Sequence, residues 1–262
     1  NTAPPSNKWT PIGSRAEDDS KQFFGNFNGN GYTVFGAYAI NYDDSLGLFG
    51  NVDGATISNL SIINSYFTGN LGVGGIAGGS RKGSLFYNCY SNCVIQSKVG
   101  AGGIVGGDES GTFRYCCNEG KITGGENVGG ILGGSAGEAA NYSTGTIEYC
   151  YNTGDVSGSA FVGGITGVAS YISDCYNVGT VTAKRHFVGG ISGCLSAISL
   201  TTNYIQRCYN VGAVACMNVE GIREDRLHIG AIVGEQGFFT YVGDVYYLNV
   251  MDVTGLEGVN GR

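Results

Sequence analysis

The chain is poor in the residues that most enzymes lean on. Its 262 residues hold three prolines, two histidines, two methionines and one tryptophan, and charge is sparse. His186 and His228 are the only histidines and no paired Cys-x-x-Cys occurs, so no zinc centre is expected. No P-loop is present. The apolar runs all fall far below the roughly 20 residues of a membrane helix, so no membrane insertion is expected. A 3.6-residue apolar period nowhere persists over about 10 residues, which speaks against helices. Residues 1–20 lack the apolar core of a signal peptide and open with Asn1-Thr2-Ala3-Pro4-Pro5-Ser6. The chain is therefore expected to be a mature product or a segment of something longer. Basic residues number 14 against 21 acidic, and the net charge of −7 repels phosphate backbones and excludes nucleic acid as a partner.

What the chain has in excess is glycine, 48 residues, and the excess is patterned. Glycine and proline together still stay below the roughly one quarter that marks a low-complexity chain. One phrase begins at Leu46-Gly47-Leu48-Phe49-Gly50 and returns as Gly74-Gly75-Ile76-Ala77-Gly78, Gly102-Gly103-Ile104-Val105-Gly106 and Gly129-Gly130-Ile131-Leu132-Gly133. Three more copies are Gly163-Gly164-Ile165-Thr166-Gly167, Gly189-Gly190-Ile191-Ser192-Gly193 and Gly230-Ala231-Ile232-Val233-Gly234. The steps between copies are 28, 28, 27, 34, 26 and 41 residues. The short steps set the unit, and the long ones hold insertions near Glu138–Thr144, Leu195–Tyr204 and Glu220–Leu227. A second phrase lies between copies of the first, as in Ile147-Glu148-Tyr149-Cys150-Tyr151-Asn152-Thr153-Gly154-Asp155-Val156.

Short apolar runs bounded by Gly and Asn read as strands and turns. A unit of 26–28 residues is one circuit of two or three such strands, too small to bury its own apolar face. Stacking circuits in parallel buries that face and superposes equivalent residues about 4.8 Å apart. The expected fold is all-β: a single-domain parallel β-helix over 1–262, right-handed by the crossover rule. Residues 1–45 form an N-terminal coil or cap, 46–234 the repeats and 235–262 a C-terminal coil or cap. The Asn-Gly pairs at 28–29 and 30–31 mark turns needing positive φ. The glycine column is expected where the wall bends or two segments approach closely. The asparagine column is expected to satisfy turn backbone groups.

Nine cysteines suggest a disulfide framework, but five of them (Cys89, Cys116, Cys150, Cys175 and Cys208) occupy one repeated position and are expected to stack as reduced core thiols. Among Cys93, Cys117, Cys194 and Cys216 a bridge stays open, with Cys194 and Cys216 the pair to test. If cysteine points inward, the neighbouring Tyr90, Tyr151, Tyr176 and Tyr209 point outward by strand alternation, a row suited to glycan stacking or protein contact. Alternatively the strand bends at cysteine and the rings pack within the wall.

These phrases resemble the GLUG-motif repeats of large bacterial surface and secreted proteins, including adhesin-like proteins and the non-catalytic part of an immunoglobulin-A-cleaving metallopeptidase. The resemblance runs from about Trp9 to Val245. It rests on Trp9-Thr10-Pro11-Ile12-Gly13, Phe27-Asn28-Gly29-Asn30-Gly31-Tyr32-Thr33-Val34, Gly47-Leu48-Phe49-Gly50 and the two recurring phrases. Leu60 in place of cysteine, Cys117 in place of tyrosine and Ala231 in place of glycine depart from the pattern without threatening it. The resemblance implies an extracellular or cell-surface β-helix that spaces or presents partners, and it supplies no catalytic motif.

Other constellations carry less. Gly72-Val73-Gly74-Gly75-Ile76-Ala77 fits a dinucleotide fingerprint, which works only where a helix follows the strand, so no cofactor is expected. The carboxylates Glu17, Asp18, Asp19, Asp43, Asp44, Asp108, Glu109, Asp155, Asp174, Glu224 and Asp225 fall mostly in turns and insertions and are expected to be solvated. They leave open a calcium site and, as an alternative function, a carbohydrate-active β-helix enzyme (polysaccharide lyase or glycoside hydrolase). Arg223-Glu224-Asp225-Arg226 reads as a solvent-facing loop. His186 and His228 are expected to stack on adjacent rungs without a catalytic role. The expected function is therefore a non-enzymatic extracellular module for adhesion, presentation or spacing, with a host glycan or protein as partner, monomeric or part of a longer chain.

Overall fold

A circuit of this size must lie on another circuit, and in-register parallel pairing is the result. The computed structural model describes residues 8–13, 21–40, 45–134, 145–195, 203–217, 228–236 and 240–247. The chain is a parallel β-helix. Its strands form one 20-stranded sheet and two 3-stranded sheets, and isolated bridges from Val105 to Leu132 and from Leu132 to Thr166 link the two small ones. The insertions at 135–144, 196–202 and 218–227 lie outside the described residues.

One coil shows how the sequence makes the circuit. The strand Thr146–Glu148 sends Ile147 inward, and Tyr149, at φ 54°, turns the corner. Cys150 points inward, the strand Tyr151–Asn152 follows, and Gly154 makes the next bend. The strand Val156–Gly163 then runs to the Gly-Gly-Ile turn, and Thr166–Ala169 closes the circuit. Parallel registry superposes Ile57, Phe86, Phe113, Ile147, Ile172 and Ile205, all with no solvent exposure. Within this column Phe86 and Phe113 stack with ring centroids 5.1 Å apart.

The two recurring phrases turn out to need each other. Asn118, Asn152, Asn177 and Asn210 are fully buried and form an amide ladder. The Nδ2 of Asn118, Asn152 and Asn177 each donates 2.8 Å to Oδ1 of the asparagine one coil on. Each Nδ2, that of Asn210 included, also donates to the carbonyl two residues later, at Gly120, Gly154, Gly179 and Gly212. These side chains cross the interior and lie against the second glycine of the other phrase. A Cβ on Gly130 would sit 2.4 Å from Asn152 Cγ and 2.3 Å from the Gly164 carbonyl; one on Gly164 would sit 2.3 Å from Asn177 Cγ. Where Ala231 replaces that glycine, the amide column carries Tyr247 over Asn210 instead. The first and last glycines meet main chain in the same way, as at Gly129 against Leu132 O (2.2 Å) and Gly167 against Val128 N (2.5 Å). At the glycine column the wall both bends and brings backbone close to backbone, the two roles expected of it.

The segment 26–40 stacks as a coil. Asn26–Asn28, Thr33–Phe35 and Tyr38–Ile40 all pair in parallel with Thr56–Gly74, and Trp9 Nε1 donates 3.1 Å to Leu48 O. Of the two Asn-Gly pairs, only 30–31 adopts positive φ, at 50° and 77°. Asn28 instead ends a strand, and Gly29 is required because a Cβ there would lie 2.5 Å from Asn59 O. At the other end Thr240–Gly243 and Tyr246–Tyr247 continue the registry past Gly234.

Replacing Gly130 with alanine is expected to destabilise the chain by about 3 kcal/mol or more, because neither main chain nor a buried amide can retreat from the added methyl. Chemical denaturation measures this, and a loss below about 1 kcal/mol would contradict the close-packed interior.

Candidate functional site

Strand alternation directs the cysteines in and the tyrosines out, and the structure realises both. Cys89, Cys116, Cys150, Cys175 and Cys208 are buried, and all nine cysteines are free. Each column thiol finds a main-chain carbonyl, for example Cys150 Sγ to Glu148 O at 3.2 Å and Cys175 Sγ to Ser173 O at 3.1 Å. The amides of Cys116 and Cys150 each donate 3.4 Å to the sulfur one coil on. Burial raises the Cys150 thiol well above its ordinary range, and burial alone pushes Cys93 up to about 11. The Cys194–Cys216 bridge left open by the sequence is not formed. Cys194 lies in a column with Val168 and Glu235, whereas Cys216 pairs with Ala183 and donates 2.9 Å to Arg185 O.

The outward column is Tyr90, Cys117, Tyr151, Tyr176, Tyr209 and Tyr246 in register. Sequence reading missed Tyr246 because its coil has Val245 and Tyr247 where the others have cysteine and asparagine, although Val-Tyr-Tyr keeps the spacing. The rings of Tyr151, Tyr176 and Tyr209 stack 5.0 Å apart with planes within 5°. Near-parallel planes at that centroid distance are offset, so the rings overlap like tiles and each leaves part of a face uncovered. Tyr151 and Tyr176 are half-buried in this stack, Tyr90 is half-buried beside Cys117, and Tyr209 and Tyr246 are 42% and 69% exposed. Tyr90 donates 2.8 Å to Glu119. Both sequence alternatives therefore hold in part: the rings lie on the outer side of the strand, and those of Tyr151, Tyr176 and Tyr209 pack on one another.

A second aromatic group went unseen in the sequence. Tyr87 leads to Tyr115 and Tyr149, which stack 5.1 Å apart at the corner before the cysteines. Beside them Arg114 pairs with Glu148 at 2.6 Å, and Arg207 makes a two-pronged contact with Asp174 at 2.7 Å. The Arg207 guanidinium holds the Asp174 carboxyl below its usual range. No repeated residue type marks this corner, so no column was legible there.

The remaining candidates separate widely. Asp108 is not solvated as expected but buried, accepting from Ser80 Oγ and, at 2.7 and 2.8 Å, from Gly111 N. Burial pushes its carboxyl up to about 6. Glu109 pairs with Arg81 at 2.9 Å, and Asp155 accepts from Thr180 N. Glu17, Asp18, Asp19, Asp43, Asp44, Glu224 and Asp225 lie outside the described residues. Among the described residues no three His, Cys, Asp or Glu side chains cluster to hold a metal. The fingerprint at Gly72–Ala77 leads into the strand Ala77–Arg81 rather than a helix. The histidines do not stack on each other: registry sets His228 beside Phe187, rings 5.0 Å apart, because Val188 pairs with Ile229. His186 packs edge-on to Phe187 instead.

Fold and face together define a parallel β-helix bearing tiled tyrosines on its outer wall. No family model matches the chain, and no curated protein matches it. A crystal structure of a candidate immunoglobulin A1 protease from Bacteroides ovatus is similar over 92% of this chain and 73% of its own, with a TM-score of 0.64 at 18% identity. At that identity the likeness speaks to the fold.

Two outcomes are expected. A water-soluble thiol reagent should modify at most Cys117, Cys194 and Cys216 in the native chain and all nine cysteines after denaturation; prompt native reaction of five or more would refute the buried column. Asp108 binds its proton more tightly folded than unfolded, so its contribution to stability falls as pH rises from about 4 to about 6. Asp108→Asn should flatten that slope in Tm measured against pH, and an unchanged slope would place the titrating group elsewhere.

Proposed function

We propose that this chain is a non-enzymatic, extracellular repeat module of a bacterial surface or secreted protein, which presents or spaces binding partners along its lateral faces. The observation that carries this reading is the tiled tyrosine column, Tyr151, Tyr176 and Tyr209, on the outer wall. Tyrosine brings a large, rigid contact area and a hydroxyl at low entropic cost, the combination that recognition surfaces favour. Regularity points the same way, since the repeated residues build walls rather than one unique cleft. The GLUG-like phrases support placement in the non-catalytic part of a larger protein, and the protease name of the structural neighbour is compatible with such a parent.

A double substitution, Tyr176→Ser with Tyr209→Ser, should leave the strand-type circular dichroism intact and weaken capture on arrays of host glycans and extracellular proteins by about tenfold. The carbohydrate-active alternative predicts something else: sugar release from polysaccharides, abolished by one carboxylate substitution. That result would overturn the module reading.

A further inference from the structure

The corner column that turns each coil before its inward cysteine, or before Leu60 and Val245 in the end coils, is occupied by Asn59, Asn88, Tyr115, Tyr149, Asp174, Arg207 and Asp244, all at φ between 50° and 55°. Asparagine tolerates this left-handed conformation, and the column begins with it. Tyrosine lacks the short polar side chain whose local hydrogen bonding makes asparagine tolerant, so the crowding of its Cβ against the following carbonyl goes uncompensated. Two successive coils nevertheless place tyrosine there, and each of the two residues is 49% exposed. Core packing therefore does not explain their presence. Strained residues that burial does not reward concentrate at binding sites.

The surroundings indicate the ligand. Arg114 contacts Glu148 through Nε, and about half of its side chain is exposed to solvent. Arg207 and Asp174 are likewise paired, and all four charges lie beside the stacked rings. These four charges cancel in pairs and contribute no net charge to the patch, so they give no advantage to an anionic polymer or a charged protein surface. It offers partly exposed aromatic faces with spare donors and carboxylate lone pairs at their margin, a match for a molecule with apolar C–H faces and many hydroxyls.

We infer that Tyr115 and Tyr149, flanked by the Arg114–Glu148 and Arg207–Asp174 pairs, form a binding site for an uncharged polysaccharide whose sugar rings lie on the tyrosines along the solenoid axis. The inference rests on the reading of the chain as a binding module and adds both a site and a ligand class to it.

The column itself supplies the test, because Asn59 and Asn88 show that asparagine fits this corner. The chain, its Tyr115→Asn/Tyr149→Asn form and its Tyr176→Ser/Tyr209→Ser form are titrated calorimetrically with cellohexaose, mannohexaose and xylohexaose, with a hexagalacturonate as charged control. The wild type should bind at least one neutral hexasaccharide more tightly than the charged one. The asparagine form should lose about tenfold or more of that affinity, with a Tm equal to or above that of the wild type because strain has been relieved. No binding of any neutral sugar, undiminished binding by the asparagine form, or a lowered Tm for that form overturns the site. Loss confined to the Tyr176→Ser/Tyr209→Ser form also overturns it and leaves the module reading standing. Chromatography of the spent sugars separates the two ideas further: cleavage products overturn the module reading, whereas loss in the asparagine form still upholds the corner site.

Discussion

The constraint on which this molecule depends is that each coil must meet the next at hydrogen-bonding distance on every wall, even where the interior narrows to almost nothing. Opposite segments of a circuit here lie so close that an ordinary side chain has no room. Glycine is the solution, and each of its positions within the phrase answers a different obstruction. At Gly129 and Gly167 the obstruction is main chain; at Gly130 it is the Asn152 amide together with main chain. The isoleucine after each glycine pair, such as Ile104, Ile131 and Ile165, is fully buried beside these close approaches. The glycines let the backbone there be satisfied along the full length of the stack.

Repetition then makes buried polarity cheap. A single asparagine in an apolar interior would leave donors or acceptors without partners and cost about 1–3 kcal/mol for each. In a column each amide passes one N–H to the next coil, receives one from the coil before, and uses its second N–H on its own turn. The cost is confined to the ends, and the composition changes there: Ser91 occupies the column before Asn118, and Tyr247 follows Asn210. The cysteine column obeys the same logic with weaker donors. It begins after Leu60 and ends at Val245, two apolar residues that need no partner. Asp108 is the contrast, a buried carboxyl outside any such ladder whose desolvation is offset in part by the Ser80 hydroxyl and the backbone of Gly111 and Ser110.

What could be read in the sequence was what the stack repeats. The period, the inward cysteines and isoleucines, the amide column and the outward tyrosines all follow from identical residues at one spacing. Features set by a single coil were illegible. Tyr115 and Tyr149 share a column with asparagine, aspartate and arginine, so nothing in residue identity announces that they are equivalent. His228 falls beside Phe187 rather than His186 because registry is counted from the glycine phrase, and one residue of offset decides the neighbour. Asp108 looked solvated because it adjoins Glu109 and Ser110, yet it closes a turn from inside the wall. Pattern predicts columns; only pairing shows which unlike residues share one.

The exceptions within a column consequently say more about function than its consensus does. A second corner makes the point. Gly72, Gly100, Asn127, Phe161 and Phe187 all have positive φ where the chain turns toward the glycine phrase, and again two aromatics stand where glycine or asparagine would relax the backbone. There the rings are less exposed: Phe161 and Phe187 stack 4.7 Å apart, and His228 covers the far side of Phe187. Packing compensates that strain, and a structural role suffices. At the tyrosine corner the rings stack on each other but remain half in water, with hydroxylated edges and paired charges around them. Two corners with the same backbone strain differ in what offsets it within the folded chain, and the deficit at Tyr115 and Tyr149 is what an external ligand would make good.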